Sequence, residues 1–202
     1  FPQDVREVYF GEGGILENAD KGTLLIDMTT TSPRLSVEIH QAAVQKGLRA
    51  VDAPVSGGDT GAKNATLSIM MGGDKEDCEA CRPLFEAMGK TIVYEGPAGS
   101  GQHTKAANQS ALGGAIAGVC EAISYAKAAG LDVQTMLSSI SQGAAGSWQM
   151  SNTAPRMLKG DFAPGFYVKH YVKDCNIALE EAGERALSLP VLQTVRDMYA
   201  QL

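Results

Sequence analysis

The residues best equipped for chemistry lie between Gly96 and Gln109, Gly-Pro-Ala-Gly-Ser-Gly-Gln-His-Thr-Lys-Ala-Ala-Asn-Gln, where a glycine-rich turn runs into a long helical pattern. Lys105 falls one turn inside that helix and Asn108 three residues later, so the two share a face and can meet one small ligand. Gly96, Gly99 and Gly101 let the incoming chain bend tightly and let a second element pack close to the helix start. The helix N-terminus adds positive potential, which attracts an anion and lowers the pKa of a nearby lysine. The chemistry implied is general acid/base catalysis on a small anionic substrate. A lysine in the first turns of a helix ordinarily reaches out to solvent, so the assignment depends on other segments converging on it.

Three segments qualify. Leu48 to Val55 reads as an apolar strand ending in Ser56-Gly57-Gly58, where a hydroxyl and two unshielded backbone N–H groups make a natural carboxylate cradle, although a plain turn uses the same residues. A second strand from Leu24 runs into Asp27-Met28-Thr29-Thr30-Thr31-Ser32-Pro33. In an open parallel α/β sheet, ligands sit beyond the carboxyl ends of strands, so these hydroxyls are placed to touch a cofactor. Ser32 caps the following helix, with Pro33 at its first position. Lastly, Lys169, Lys173 and Asn176 recur at helical spacing as one polar stripe, a pattern that by itself usually marks a solvated face.

In this order and at this spacing, the four segments resemble the β-hydroxyacid dehydrogenase family: 3-hydroxyisobutyrate dehydrogenases, tartronate semialdehyde (2-hydroxy-3-oxopropionate) reductases and relatives of 6-phosphogluconate dehydrogenase. The resemblance covers nearly the whole chain. It implies a partial Rossmann-like doubly wound α/β domain over residues 1–99, followed by an all-helical substrate and oligomerisation domain over 100–202. It further implies hydride transfer between NAD or NADP and a short β-hydroxyacid, in a homodimer or homotetramer associating through its C-terminal helices. Carried over by position, Lys105 matches the catalytic lysine that serves as general acid/base, and Asn108 the asparagine that hydrogen-bonds the substrate. Ser56, Gly57 and Gly58 match the segment that holds the substrate carboxylate. Thr29 and Thr30 match cofactor-contacting hydroxyls, and Lys173 the lysine that reaches the cofactor, with Asp174 beside it as support. The alternatives are a decarboxylating sugar-acid dehydrogenase, for which no phosphate clamp is identifiable, and a non-catalytic assembly module.

The chain departs from the family's pattern in several places. The family opens with a strand, a Gly-x-Gly-x-x-Gly turn and a helix that cradle the dinucleotide pyrophosphate. Phe1 to Asp20 instead reads like a helix and loop late in the first half of such a domain, and Leu202 falls inside a helix. The expectation is therefore a fragment, inactive and a poor dinucleotide binder on its own. Ala65 stands where the family usually has glycine, and Gln109 where some members carry a second asparagine.

Composition agrees with a cytoplasmic enzyme acting on a small molecule. The 202 residues are 44% hydrophobic with a formal charge of -6, which gives no footprint for nucleic acid or an anionic membrane. Cys78 and Cys81 form a Cys-x-x-Cys inside an amphipathic helical stretch, without the strand-to-helix junction or second ligand pair that a redox or zinc role needs. Cys120 and Cys175 read as small core residues, and His40, His103 and His170 are too dispersed for a metal site.

The elements that must position these residues divide near Gly99. Before it, strands at 24–27, 48–55, 67–71 and 92–94 alternate with helical patterns at 5–9, 33–45 and 75–88, an α/β order. After it the pattern is all helical, at 102–129, 133–141, 147–157, 167–187 and 191–201. Gly113, Gly114 and Gly118 weaken the long helix unless a close neighbour compensates; with Leu112, Val119 and Ile123 they suggest burial or a dimer face. Trp148 and Met150 are candidates for the wall of a substrate pocket or for plain core.

Overall fold

A computed structural model describes all 202 residues. The chain opens with α1 (Pro2–Phe10) and α2 (Ile15–Asn18), then β1 (Leu24–Asp27), α3 (Pro33–Gln45) and β2 (Arg49–Asp52). β1 and β2 pair in parallel, from Leu24 opposite Arg49 to Asp27 opposite Asp52. Alternating burial along β1 and the apolar stripe of α3 meet in one core of Leu25, Leu35, Ile39, Ala43, Leu48 and Ala50.

The strand expected over 48–55 is broken. Pro54 has no N–H for a ladder, and the chain there leaves β1 and re-forms as β3 (Val55–Ser56) along another neighbour. That neighbour is β4 (Leu67–Gly72), which runs antiparallel to both β2 and β3 but parallel to β5 (Gly89–Gly96). The sheet is therefore mixed rather than wholly parallel. Between these strands lie α4 (Gly58–Lys63), a short helix the sequence pattern did not suggest, and α5 (Lys75–Glu86). α5 buries Cys78, Cys81 and Phe85 against Ile69 and Met71, so the Cys-x-x-Cys pair is core; burial pushes the Cys78 thiol up to about 12. Ala65 adopts φ +53°, a left-handed conformation that accounts for glycine being the usual residue there.

Helices alone follow: α6 (Ser100–Ala128), α7 (Val133–Ile140), a π-helical turn (Gln149–Thr153), α8 (Ala154–Leu158), α9 (Val168–Gly183) and α10 (Pro190–Tyr199). The buried stripe of α6 changes character along its length. Gln102, Lys105 and Gln109 begin it beside the sheet, and Ile116, Val119, Ile123 and Ala126 continue it among the helices.

Val119 and Ile123 pack with Leu137, Met150 and Ala154, so they belong to the chain's own core and not to an exposed association face. Leu112 packs against the cluster of Tyr171, Cys175, Leu192 and Val195. Gly113 has the close neighbour its position requires: an added Cβ would lie 2.5 Å from the Tyr171 hydroxyl, whereas one at Gly118 would meet nothing within 4 Å. Cys175 is buried as expected, but Cys120 is exposed. Trp148, 67% exposed, is not core, while Met150 is core.

Candidate active site

The site forms where three kinds of element meet: the carboxyl ends of β1 and β3, the first three turns of α6, and the middle of α9. Two glycines shape the entry to α6. Gly96 has φ +136° and Gly99 φ +87°, values that favour glycine, and the resulting turn lays Gly101 against β2 and β4. The N–H groups of Gly99 and Gln102 at the start of α6 are taken up within the protein. The Asp52 carboxylate, at the end of β2, accepts from the Gly99 N–H at 2.7 Å and the Gln102 N–H at 3.0 Å. This corrects the expectation that the helix N-terminus attracts an anion, because a buried side chain of the same protein already satisfies it. Burial pushes the Asp52 carboxyl above its ordinary range, while these two N–H bonds draw it back down.

Lys105 is 7% exposed, and its ammonium donates to the Val55 carbonyl at 2.8 Å. It does not snorkel. Burial lowers its pKa below the ordinary lysine value; the Asp174 carboxylate opposes that shift and the Lys173 ammonium adds to it. The bond to Val55 sets Lys105 beside Ser56, Gly57 and Gly58. Gly57 has φ +132° and Gly58 φ +63°, so both positions favour glycine, and both are exposed with their N–H groups at the start of α4. Asp59 follows directly, its charge offset by an ion pair with Lys63 at 3.1 Å.

Asn108 and Gln109 continue the α6 face. Asn108 donates to the Gln109 side-chain oxygen at 2.8 Å, and Gln109 donates to Asp174 Oδ2 at 2.6 Å. Tyr171, from the same turn of α9, donates to the Gln109 carbonyl at 3.1 Å. Lys173 pairs with Asp174 Oδ1 at 2.8 Å and also donates to the Thr30 carbonyl. The polar stripe of α9 is therefore not uniformly solvated. Lys173 turns inward, while Lys169 and Asn176 stay exposed along a cleft of about 400 Å³ that Lys173 also lines.

The loop after β1 completes the arrangement. Asp27 Oδ1 accepts from the Thr29 N–H at 2.9 Å, and Lys173 holds the next carbonyl. The Gln102 amide donates to the Thr29 carbonyl at 2.8 Å and accepts from the Thr31 N–H at 3.1 Å. Thr29 is exposed, Thr30 half-buried and Thr31 fully buried. Ser32 occupies the N-cap position of α3, but its side chain makes no capping bond, contrary to expectation.

Thr29, Thr30, Ser56, Gly57, Gly58, Lys105, Asn108, Lys173 and Asp174 are thus joined by hydrogen bonds, an ion pair or adjacency along the chain, whereas Lys169, Asn176 and Trp148 stand outside that group. Sequence reasoning missed Asp52, Gln102 and the role of Gln109. The signal for the last two was present, since Gln102, Lys105 and Gln109 stand at the i, i+3, i+7 spacing of one helix face.

Residues 1–96 match the family described as the NAD binding domain of 6-phosphogluconate dehydrogenase, and residues 99–202 the family described as NAD-binding of NADP-dependent 3-hydroxyisobutyrate dehydrogenase. An uncharacterised oxidoreductase of Bacillus subtilis, YkwC, is 56% identical over all of this chain and 70% of its own length. The 2-hydroxy-3-oxopropionate reductase of Escherichia coli is 39% identical over 96% of this chain and 67% of its own. Among solved structures, the 3-hydroxyisobutyrate dehydrogenase of Mycobacterium tuberculosis with L-serine superposes with a TM-score of 0.85 at 32% identity, covering 92% of this chain and 66% of that one. The chain spans about two thirds of the length of these relatives.

Proposed function

The chain belongs to the β-hydroxyacid dehydrogenase family, and from that premise we propose that its protein transfers a hydride between NAD or NADP and a short β-hydroxyacid, with Lys105 as general acid/base. One observation carries this reading: a lysine ammonium, buried and lowered in pKa, beside a Ser-Gly-Gly turn whose hydroxyl and N–H groups suit a carboxylate. Substrates of the 3-hydroxyisobutyrate and 2-hydroxy-3-oxopropionate type carry both a carboxylate and a carbinol or carbonyl carbon, the two groups this pair would engage.

Ser56, Gly57 and Gly58 hold the carboxylate in this proposal, and Asn108 orients the reacting oxygen. In oxidation, neutral Lys105 takes the hydroxyl proton as the C–H bond breaks; in reduction, its ammonium returns a proton to the new alkoxide. The residues fit a nicotinamide dinucleotide at the edge of β1, where Thr29 offers an exposed hydroxyl, Thr30 stands beside it and Lys173 supplies a cation. The cofactor, when bound, supplies or accepts the hydride. We place the boundary between the cofactor and substrate parts at residues 99 and 100, where β5 gives way to α6. We also place the protein in the cytoplasm, a compartment in which free thiols such as those of Cys78, Cys81 and Cys175 stay reduced.

The test is turnover by the complete gene product with NAD and NADP and a panel of 3-hydroxyisobutyrate, 2-hydroxy-3-oxopropionate and L-serine, followed by nicotinamide absorbance. Lys105→Ala should lower kcat by roughly two to four powers of ten with cofactor affinity little changed. A variant with near-normal turnover across pH moves the proton transfer to another group.

A further inference from the structure

We propose that Gln102 is a positioning residue that ties the cofactor loop and the general acid/base to one turn of α6. This inference rests on the reading of Thr29 and Thr30 as cofactor contacts. Gln102 is 1% exposed, and both ends of its amide are used, the nitrogen on the Thr29 carbonyl and the oxygen on the Thr31 N–H. The two bonds bracket Thr30, whose own carbonyl is held by Lys173. The loop lies between β1 and α3, outside any ladder or helix, so these side chains supply partners that secondary structure supplies elsewhere.

The backbone of Gln102 is fixed as well, because its N–H is bound to Asp52 on β2. Lys105 stands three residues further along the same face and is held to Val55. A shift of the loop relative to Lys105 must therefore break the Gln102 amide bonds or move the helix start away from the sheet. Glutamine suits the task because it combines a donor and an acceptor at the end of a chain of this length. Asparagine is one methylene shorter, an ionised glutamate has no donor, and methionine keeps the shape with neither function.

The experiment compares wild type, Gln102→Met and Gln102→Glu in the complete gene product, with folding checked by circular dichroism. Cofactor KM, substrate KM and kcat are measured between about pH 6 and about pH 9. Gln102→Met should raise cofactor KM by about tenfold, as expected for two lost hydrogen bonds, with substrate KM much less affected and the pH profile of kcat unmoved. Gln102→Glu should behave like Gln102→Met at high pH and recover towards wild type as pH falls, because the protonated acid both donates to Thr29 and accepts from Thr31. A side chain that only fills space produces no such recovery.

A folded Gln102→Met with cofactor KM within about twofold of wild type overturns the inference, as does a Gln102→Glu whose cofactor KM keeps a constant ratio to wild type across pH. Should Gln102→Met fail to fold, the pH dependence of Gln102→Glu still decides. A wild-type protein that uses neither NAD nor NADP removes the proposed function and this inference together; normal wild-type use with indifferent variants removes the inference alone.

Discussion

At the scale of single residues, the sign of the Lys105 shift dictates a pH dependence. Burial depresses its folded pKa below the unfolded lysine value of 10.5, so across the window between the two the unfolded chain binds more protons and stability rises with pH. Catalytically, kcat/KM for oxidation should rise with pH and level off once Lys105 is neutral, while reduction falls over the same range. Both limbs should lie below the ordinary lysine value. Asp174 is the group that opposes the depression, and Asp174→Asn keeps the shape and an acceptor for Gln109 while removing the charge. That variant should move both limbs to lower pH, measured as kcat/KM profiles in each direction. An unmoved limb, or one displaced to higher pH, assigns the titration to another group.

At the scale of elements, the start of α6 is the structural hinge of the site because it touches β2, β4 and the β1 loop at once. Gly101 makes that contact possible: a Cβ there would fall on the Met70 carbonyl oxygen and lie 2.8 Å from Asp52 Oδ2. Gly118, on the same helix, faces open space. Gly101→Ala should therefore destabilise by about 3 kcal/mol through overpacking against backbone. Gly118→Ala should stabilise by about 0.5–1 kcal/mol through helix propensity alone. Denaturant unfolding of the two variants checks the contrast. Equal effects of one sign would mean that the approach of α6 to the sheet does not control its stability.

At the scale of the whole molecule, the α/β and helical parts are joined by more than the site. Glu181 of α9, itself buried, accepts from Arg34 of α3 at 3.1 Å and from Arg185 at 2.8 Å, which holds α9 over the start of α3. Association of the protein as a homodimer or homotetramer is a proposal about the remaining surface. Because Val119 and Ile123 are internal, the proposed face is made instead of Tyr125, Leu131, Val191 and Met198, which are apolar and exposed on or beside α6 and α10. Light scattering of the complete gene product over a dilution series should give a mass at least twice that of one chain. A monomer at every concentration rejects the proposal.

Periodicity and residue type were enough for the class of the fold and for the elements that carry the site, since α3, β1 and most of α6 follow directly from local apolar spacing and turn chemistry. They also singled out Lys105, Ser56 to Gly58, Thr29 and Thr30 as candidates, because each sits at a strand end or helix face where such chemistry is expected, whereas Lys173 became a candidate only through the family resemblance. Other features depended on partners far apart in sequence. Gln109 meets Asp174 across 65 residues and Asp52 fills the α6 N-terminus from 47 to 50 residues away, and no local pattern encodes either pairing. The same is true of the direction of β4, which reversed the expected parallel order, and of the burial of Val119 and Ile123, which the sequence left open between a core and a face for a second chain. Local sequence sets which way a side chain points on its own element; what stands opposite it, and hence the solvation that lowers the pKa of Lys105, is decided only when the elements pack.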